Sequence, residues 1–212
     1  MDEFLTATIT GLCTAGIFAI AASGLVLTYT TTGIFNFAHG AVGMLAAFSY
    51  WQLIDWGLPT PVAVAAVLLV VGPLFGLLVE MVVMRGLSDA PETSRLVVSV
   101  ALLAAALGLG VWLWPPDQSR PLDSWFEGHF VEILGVRVSW HEGIAFVLAI
   151  VVAIGLRVLL RSTRVGVTMR AVVDDRGLAA LNGARPDRSA AVAWALGCSL
   201  AALAGILLAP AQ

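Results

Sequence analysis

The sequence predicts an all-α, polytopic transmembrane helix bundle of about six spans, and three observations carry that prediction. First, 12% of the residues are charged and 59% hydrophobic, with a mean hydropathy of +0.95. A soluble domain carries about 25% charged residues, so too little polar surface remains here to cover a water-soluble globule. Second, a series of apolar stretches approaches the roughly 20 residues that cross a bilayer. Third, the arginines gather in alternate loops, as the positive-inside bias of membrane proteins requires.

The stretches are Phe4–Thr28, Phe37–Ile54, Val62–Met84, Leu96–Trp114, Gly143–Leu160 and Ala190–Ala209. The chain begins Met1-Asp2-Glu3, without a positive region ahead of the first stretch, so that stretch is expected to remain as a membrane helix. The second is short and polar where it begins, as a tilted or broken helix would be. In the third, Gly72 and Gly76 are spaced by four, as are Gly197, Ala201 and Gly205 in the sixth. Such spacing lets backbones approach closely in lipid and implies a packed bundle.

Orientation follows from charge. Arg85 and Arg95 bracket one loop, and Arg157, Arg161, Arg164, Arg170, Arg176, Arg185 and Arg188 cluster around another. Both are expected on the cytoplasmic side, which puts the N-terminus outside. The outer side then holds Asp55-Trp56 and the long Pro115–Trp140 segment, in which Phe130–Leu134 and Val136–Val138 flank Gly135 as a short hairpin. Trp112, Trp114, Trp125 and Trp140 fit headgroup-level anchors.

Three features stand apart. From Thr28 to Gly40 the chain places hydroxyls, Asn36 and His39 between two apolar runs, with Gly33 and Gly40 giving backbone freedom. The residues leave two readings open: an ordinary short loop capped by Thr32 or Asn36, or a re-entrant element beside a polar pathway. Glu80 is an intramembrane carboxylate about one turn from the cytoplasmic end, where it is expected to snorkel or pair with Arg85. In the loop Arg161–Arg188, Asp174 or Asp175 can cap a short helix from Arg176 to Asn182, with Gly183 suited to its C′ position. That helix fits either anionic headgroups or a docked partner.

No enzyme constellation is present: no HExxH, GxSxG, P-loop or carboxylate pair. His39, His129 and His141 are scattered and expected to be structural. Cys13 and Cys198 lack metal-ligand spacing, and no metal site is expected. A formal charge of -3 without a basic face gives no reason to expect nucleic acid.

Gly24-Leu25-Val26-Leu27-Thr28-Tyr29 followed by Thr32-Gly33-Ile34-Phe35-Asn36-Phe37-Ala38-His39-Gly40 resembles the signature of branched-chain amino-acid ABC importer permeases. The stretch from Arg161-Ser162-Thr163-Arg164-Val165-Gly166 through Met169-Arg170-Ala171, Asp175-Arg176 and Ala179-Ala180-Leu181-Asn182-Gly183 resembles that family's cytoplasmic loop. It is similar to a degenerate Ala-Ala-x-x-x-Gly coupling motif. Leu203-Ala204-Gly205-Ile206-Leu207-Leu208-Ala209-Pro210 continues the likeness. The resemblance implies a single permease domain over residues 1–212 in the bacterial inner membrane. Family members continue through further spans, which this chain is expected to lack.

It also implies the partners: cytoplasmic ABC ATPase subunits, a second permease subunit, an extracytoplasmic substrate-binding protein, and membrane lipid. ATP would be used by the ATPases, with no cofactor bound by this chain. Gly33, Asn36, His39 and Gly40 would shape the pathway. Arg170, Asp175, Arg176, Ala179, Ala180 and Gly183 would form the ATPase-coupling helix and its polar rim. Permeases for urea, short amides or other small solutes share much of the pattern. A truncated assembly subunit, or a secondary transporter coupled through Glu80, are further alternatives.

Overall fold

In the computed structural model, which describes residues 2–87, 90–133 and 135–211, the apolar stretches become helices. These are α1 (Asp2–Thr32), α2 (His39–Asp55), α3 (Thr60–Leu87), α4 (Glu92–Leu113), α5 (Trp140–Ser162), α6 (Arg164–Asp174), α7 (Arg176–Leu181) and α8 (Pro186–Leu208). Five of them, α1, α3, α4, α5 and α8, are long and apolar enough to cross a membrane. The expected second span differs. With 17 residues, α2 reaches only about 25 Å, short of the ~30 Å hydrocarbon core. A non-helical segment, residues 33–38, joins α1 to it.

The loops sort as the charges require. Arg85, Arg95 and Arg176 line one cleft, so both arginine loops lie at the same end of the bundle. At the other end, the Trp114 indole N–H donates to Gln52 Oε1 at 3.2 Å, and its ring stacks on Phe48. There the long loop forms the hairpin of β1 (Phe130–Ile133) and β2 (Val136–Ser139), antiparallel with Val131 opposite Val138. Leu134, expected within the first strand, lies outside the described residues. Gly135, at φ +81, turns the chain as an L side chain rarely can. Val136 and Val138 pack on Cys13 of α1, and Ser139 with Glu142 forms a capping box that starts α5.

The core gathers around α8, the most buried of the long helices, whereas α5 is largely exposed along its apolar length. Glycines set these contacts. Gly197 lies on Gly24 and Thr28 of α1, Gly205 on the Gly43 backbone of α2, and Gly72 and Gly76 on the α8 backbone at Ser199 and Trp194. The small-residue spacing in the sequence therefore marks real helix crossings.

The helix α3 contains two wide turns of π type, Val67–Val71 and Glu80–Met84. The first immediately precedes Gly72-Pro73, where a proline ring would crowd the carbonyl one turn earlier and leaves it without a donor; the widened turn accommodates both.

Candidate functional site

The Thr28–Gly40 segment resolves as a break at membrane depth. Helix α1 ends where Gly33 takes φ +68 and its amide donates to Tyr29 O at 2.8 Å. The chain then turns back along α1 in extended form. His39, the first residue of α2, donates from Nε2 to the carbonyl of Ala21 at 2.9 Å. Ala21 lies about three turns, or ~16 Å, from the end of α1, so α2 begins deep inside the bundle. The geometry is that of a break inside the bundle rather than of a short loop at its end.

An extended backbone at that depth has no water to bond, so protein must supply partners. Ser99 of α4 does so twice. Its hydroxyl accepts from the Phe37 amide at 2.9 Å and donates to the Phe35 carbonyl at 2.8 Å. Asn36 O accepts from the His39 amide, closing a turn into α2. Both amide atoms of the Asn36 side chain, which is 1% exposed, lack a partner among the described residues, as does His39 Nδ1. Unsatisfied polar atoms in a dry interior are costly, and they cluster here where the helix breaks.

His39 and Gly40 also line a groove of about 480 Å³ that runs along α2 between α1 and α8 toward the outer loop. Gly33 and Asn36 are not on it; they lie in the segment that precedes α2.

At the arginine-rich end, α6, α7 and the start of α8 form a compact unit. Thr163 caps α6 by accepting from the Gly166 amide at 3.1 Å. Asp175, rather than Asp174, caps α7 by accepting from Leu178 N at 2.9 Å. The end of α7 is a Schellman closure: the Ala184 amide bonds Ala179 O, the Gly183 amide bonds Ala180 O, and Gly183 sits at φ +85. Arg176 ties α7 to Asp187 of α8 at 2.9 Å. Arg170, Ala180 and Gly183 are exposed, whereas Ala179 is buried on the inner face of α7. What α7 presents outward is Leu178 and Leu181, 60% and 86% exposed. A shallow groove of about 570 Å³ lined by Val167, Ala171, Leu178, Ala179 and Gly183 separates α6 from α7.

The expected Glu80–Arg85 pair forms, with Nη2–Oε2 at 2.8 Å and Nε–Oε1 at 3.2 Å. On a regular α-helix, residues five apart do not face each other. The second wide turn of α3, in which the Arg85 amide bonds Glu80 O, brings them together. Both carboxylate oxygens are engaged, which weighs against Glu80 as a free ion-coupling group.

Sequence reasoning missed other features. Helix α6 lay inside what read as loop. Ser99 is one hydroxyl in an apolar run, with no signal that it meets residues 62 and 64 positions away. His141 ties the outer loop to α8, donating from Nε2 to Leu207 O at 2.9 Å and accepting from Trp125 N at 3.3 Å. Trp125 in turn donates to the Tyr50 hydroxyl at 3.1 Å.

Comparison with known proteins places these features in context. A family model described as "Branched-chain amino acid transport system / permease component" matches residues 7–212. The high-affinity branched-chain amino acid transport system permease protein LivH of Escherichia coli K12 is 25% identical over 221 residues, covering 97% of this chain and 70% of LivH. BraD of Pseudomonas aeruginosa, of the same description, is 26% identical over 220 residues, covering 97% of this chain and 71% of BraD. A probable LivH of Methanocaldococcus jannaschii is 27% identical over 198 residues, 92% of this chain and 62% of that protein. No solved structure matches.

Proposed function

The chain belongs to the permease-component family of branched-chain amino acid transport systems, and from that premise we propose that it is one membrane subunit of an ATP-driven importer of branched-chain amino acids. Its relatives are transport permeases rather than enzymes. A second permease subunit pairs with it, ATPase subunits dock on the arginine-rich side, and a binding protein delivers substrate to the outer mouth. The chain holds no cofactor of its own; ATP is consumed by the docked subunits.

One observation supports this reading above the rest: α7, a capped helix of 6 residues, projects Leu178 and Leu181 outward from the arginine-rich end and is tied through Arg176 to α8. Two exposed leucines one turn apart are what a helix offers to an apolar groove in a partner. Because α8 touches α1, α2 and α3 through glycine contacts, force on α7 reaches the helices around the break.

The test is ATP hydrolysis by the assembled transporter. Leu181→Glu is expected to reduce substrate-stimulated hydrolysis about tenfold or more, as losing an interface anchor does, while the chain still inserts and folds. Unchanged coupled hydrolysis would overturn the docking assignment.

A further inference from the structure

The arginines of the arginine-rich end fall into two sets. Arg85 pairs with Glu80, Arg176 pairs with Asp187, and Arg95 donates to the Ala90 carbonyl. Arg157 and Arg161 of α5 and Arg164 at the start of α6 are exposed, and their guanidinium groups have no partner among the described residues. Nor is a carboxylate at hand. The neighbours of that corner are α1, which packs on α5, and α6, which folds back on the α5 backbone at Leu159 and Leu160 through Gly166. From residue 4 to 32 and from 143 to 173 the sequence contains no Asp or Glu. A solvated surface interleaves both signs of charge, whereas this corner carries one.

The second observation is where these side chains sit. Helix α5 is the least buried of the long helices. Along it Ile150, Ile154, Arg157 and Arg161 recur at intervals of four, three and four, which puts them on one face. Ile150 and Ile154, 46% and 58% exposed, turn that face away from the bundle. Arg157 and Arg161 lie about 25 and 32 Å along the helix from Trp140, the residue at the outer headgroup level. They therefore bracket the inner edge of a hydrocarbon core ~30 Å thick, where lipid phosphates lie. Their aliphatic stems can cover apolar surface while the guanidinium groups reach that level. Arg164 follows Arg161 by three residues, hence within ~11 Å of it.

We propose that this corner is a binding site for an anionic phospholipid of the cytoplasmic leaflet. The lipid phosphate sits between Arg157 and Arg161, Arg164 closes the site from the aqueous side, and one acyl chain lies along Ile154 and Ile150. Guanidinium forks match phosphate oxygens two at a time, and here no carboxylate competes for them. A zwitterionic lipid offers the same phosphate but brings its own cation against three arginines, which disfavours it. The inference requires only that α5 crosses the membrane, and it is independent of the solute carried and of where ATPases dock.

The test is native mass spectrometry of the purified permease, with the subunits that accompany it, titrated with phosphatidylglycerol and phosphatidylcholine of equal chain length. Phosphatidylglycerol is expected to bind at least about tenfold more tightly, since each arginine near a membrane surface adds roughly fivefold for an anionic lipid. The double variant Arg157→Gln, Arg161→Gln should bring the two lipids within about twofold of each other. Arg185→Gln with Arg188→Gln removes the same charge at the start of α8 and should leave the preference intact. All four side chains are exposed, so neither pair of changes disturbs the core. Ile154→p-benzoylphenylalanine, irradiated in native membranes, reports what covers the face, and cross-linking to phospholipid is expected.

A lack of preference for phosphatidylglycerol, or one that survives the loss of Arg157 and Arg161, would overturn the inference. Equal losses in the two double variants would reduce the preference to bulk attraction between charges and overturn it too. A cross-link from residue 154 to another polypeptide would give the face to a subunit, with the same result. None of these outcomes bears on the proposed transport function, which ATP hydrolysis tests separately.

Discussion

The hydroxyl of Ser99 bridges the Phe37 amide and the Phe35 carbonyl across from α4, at 2.9 and 2.8 Å. One side chain thus satisfies two backbone groups of the segment within the bundle. Ser99→Ala strands both, and each buried unsatisfied group costs about 1–3 kcal/mol. The variant is expected to unfold at clearly lower temperature in detergent, read by tryptophan fluorescence. An unchanged midpoint would mean that water reaches the segment.

Helix α8 meets α2 with backbone against backbone at Gly205 and Gly43. A methyl group at residue 205 has nowhere to go, whereas one at Gly108 of α4 meets nothing within 4 Å. Gly205→Ala should therefore destabilise the chain by about 1–3 kcal/mol through overpacking. Gly108→Ala should be neutral or stabilising, given alanine's higher helix propensity of about 1 kcal/mol. Comparing the two melting midpoints checks both.

The Glu80–Arg85 pair is unequal: the side chain of Glu80 is 3% exposed and that of Arg85 43%. Arg85→Gln leaves a buried carboxylate with no counter-charge, a loss of about 3 kcal/mol or more. Glu80→Gln leaves an arginine that water can still solvate. The first variant is expected to be the less stable in chemical denaturation. Equal losses would show that Glu80 finds another partner.

Arg176 and Asp187 are both more than half exposed, so their ion pair contributes under about 1 kcal/mol to stability. Asp187→Asn should leave the melting temperature unchanged. If the pair fixes the angle between α7 and α8, the ratio of solute moved to ATP hydrolysed falls. A variant with a normal ratio would reduce the contact to a surface ornament.

Much of this was legible in residue patterns. Runs of about 20 apolar residues located the long helices, arginines sorted the loops, and four-residue glycine spacing marked where α8 is crossed. Asp175 and Gly183 framed α7 because capping and left-handed closure are local events. The depth at which α2 begins was not legible. It depends on Ser99 and Ala21, distant in sequence and ordinary in their own stretches. Which small residues of α7 stay accessible was not legible either: packing turns Ala179 inward, while Ala180 and Gly183 remain exposed beside Leu178 and Leu181. The Glu80–Arg85 pair was expected from their shared helix end, but its two-point geometry depends on the wide turn of α3, which a five-residue spacing does not reveal.

The glycine contacts of α8 also govern how it can move. Side-chain contacts let a helix slip by switching rotamers, but backbone lying on backbone has no rotamers to switch. At Gly24, Gly43, Gly72 and Gly76 the neighbouring helices are held by such contacts. Helix α8 therefore behaves as a stiff lever with α7 as its short arm, joined by the brief link 182–185.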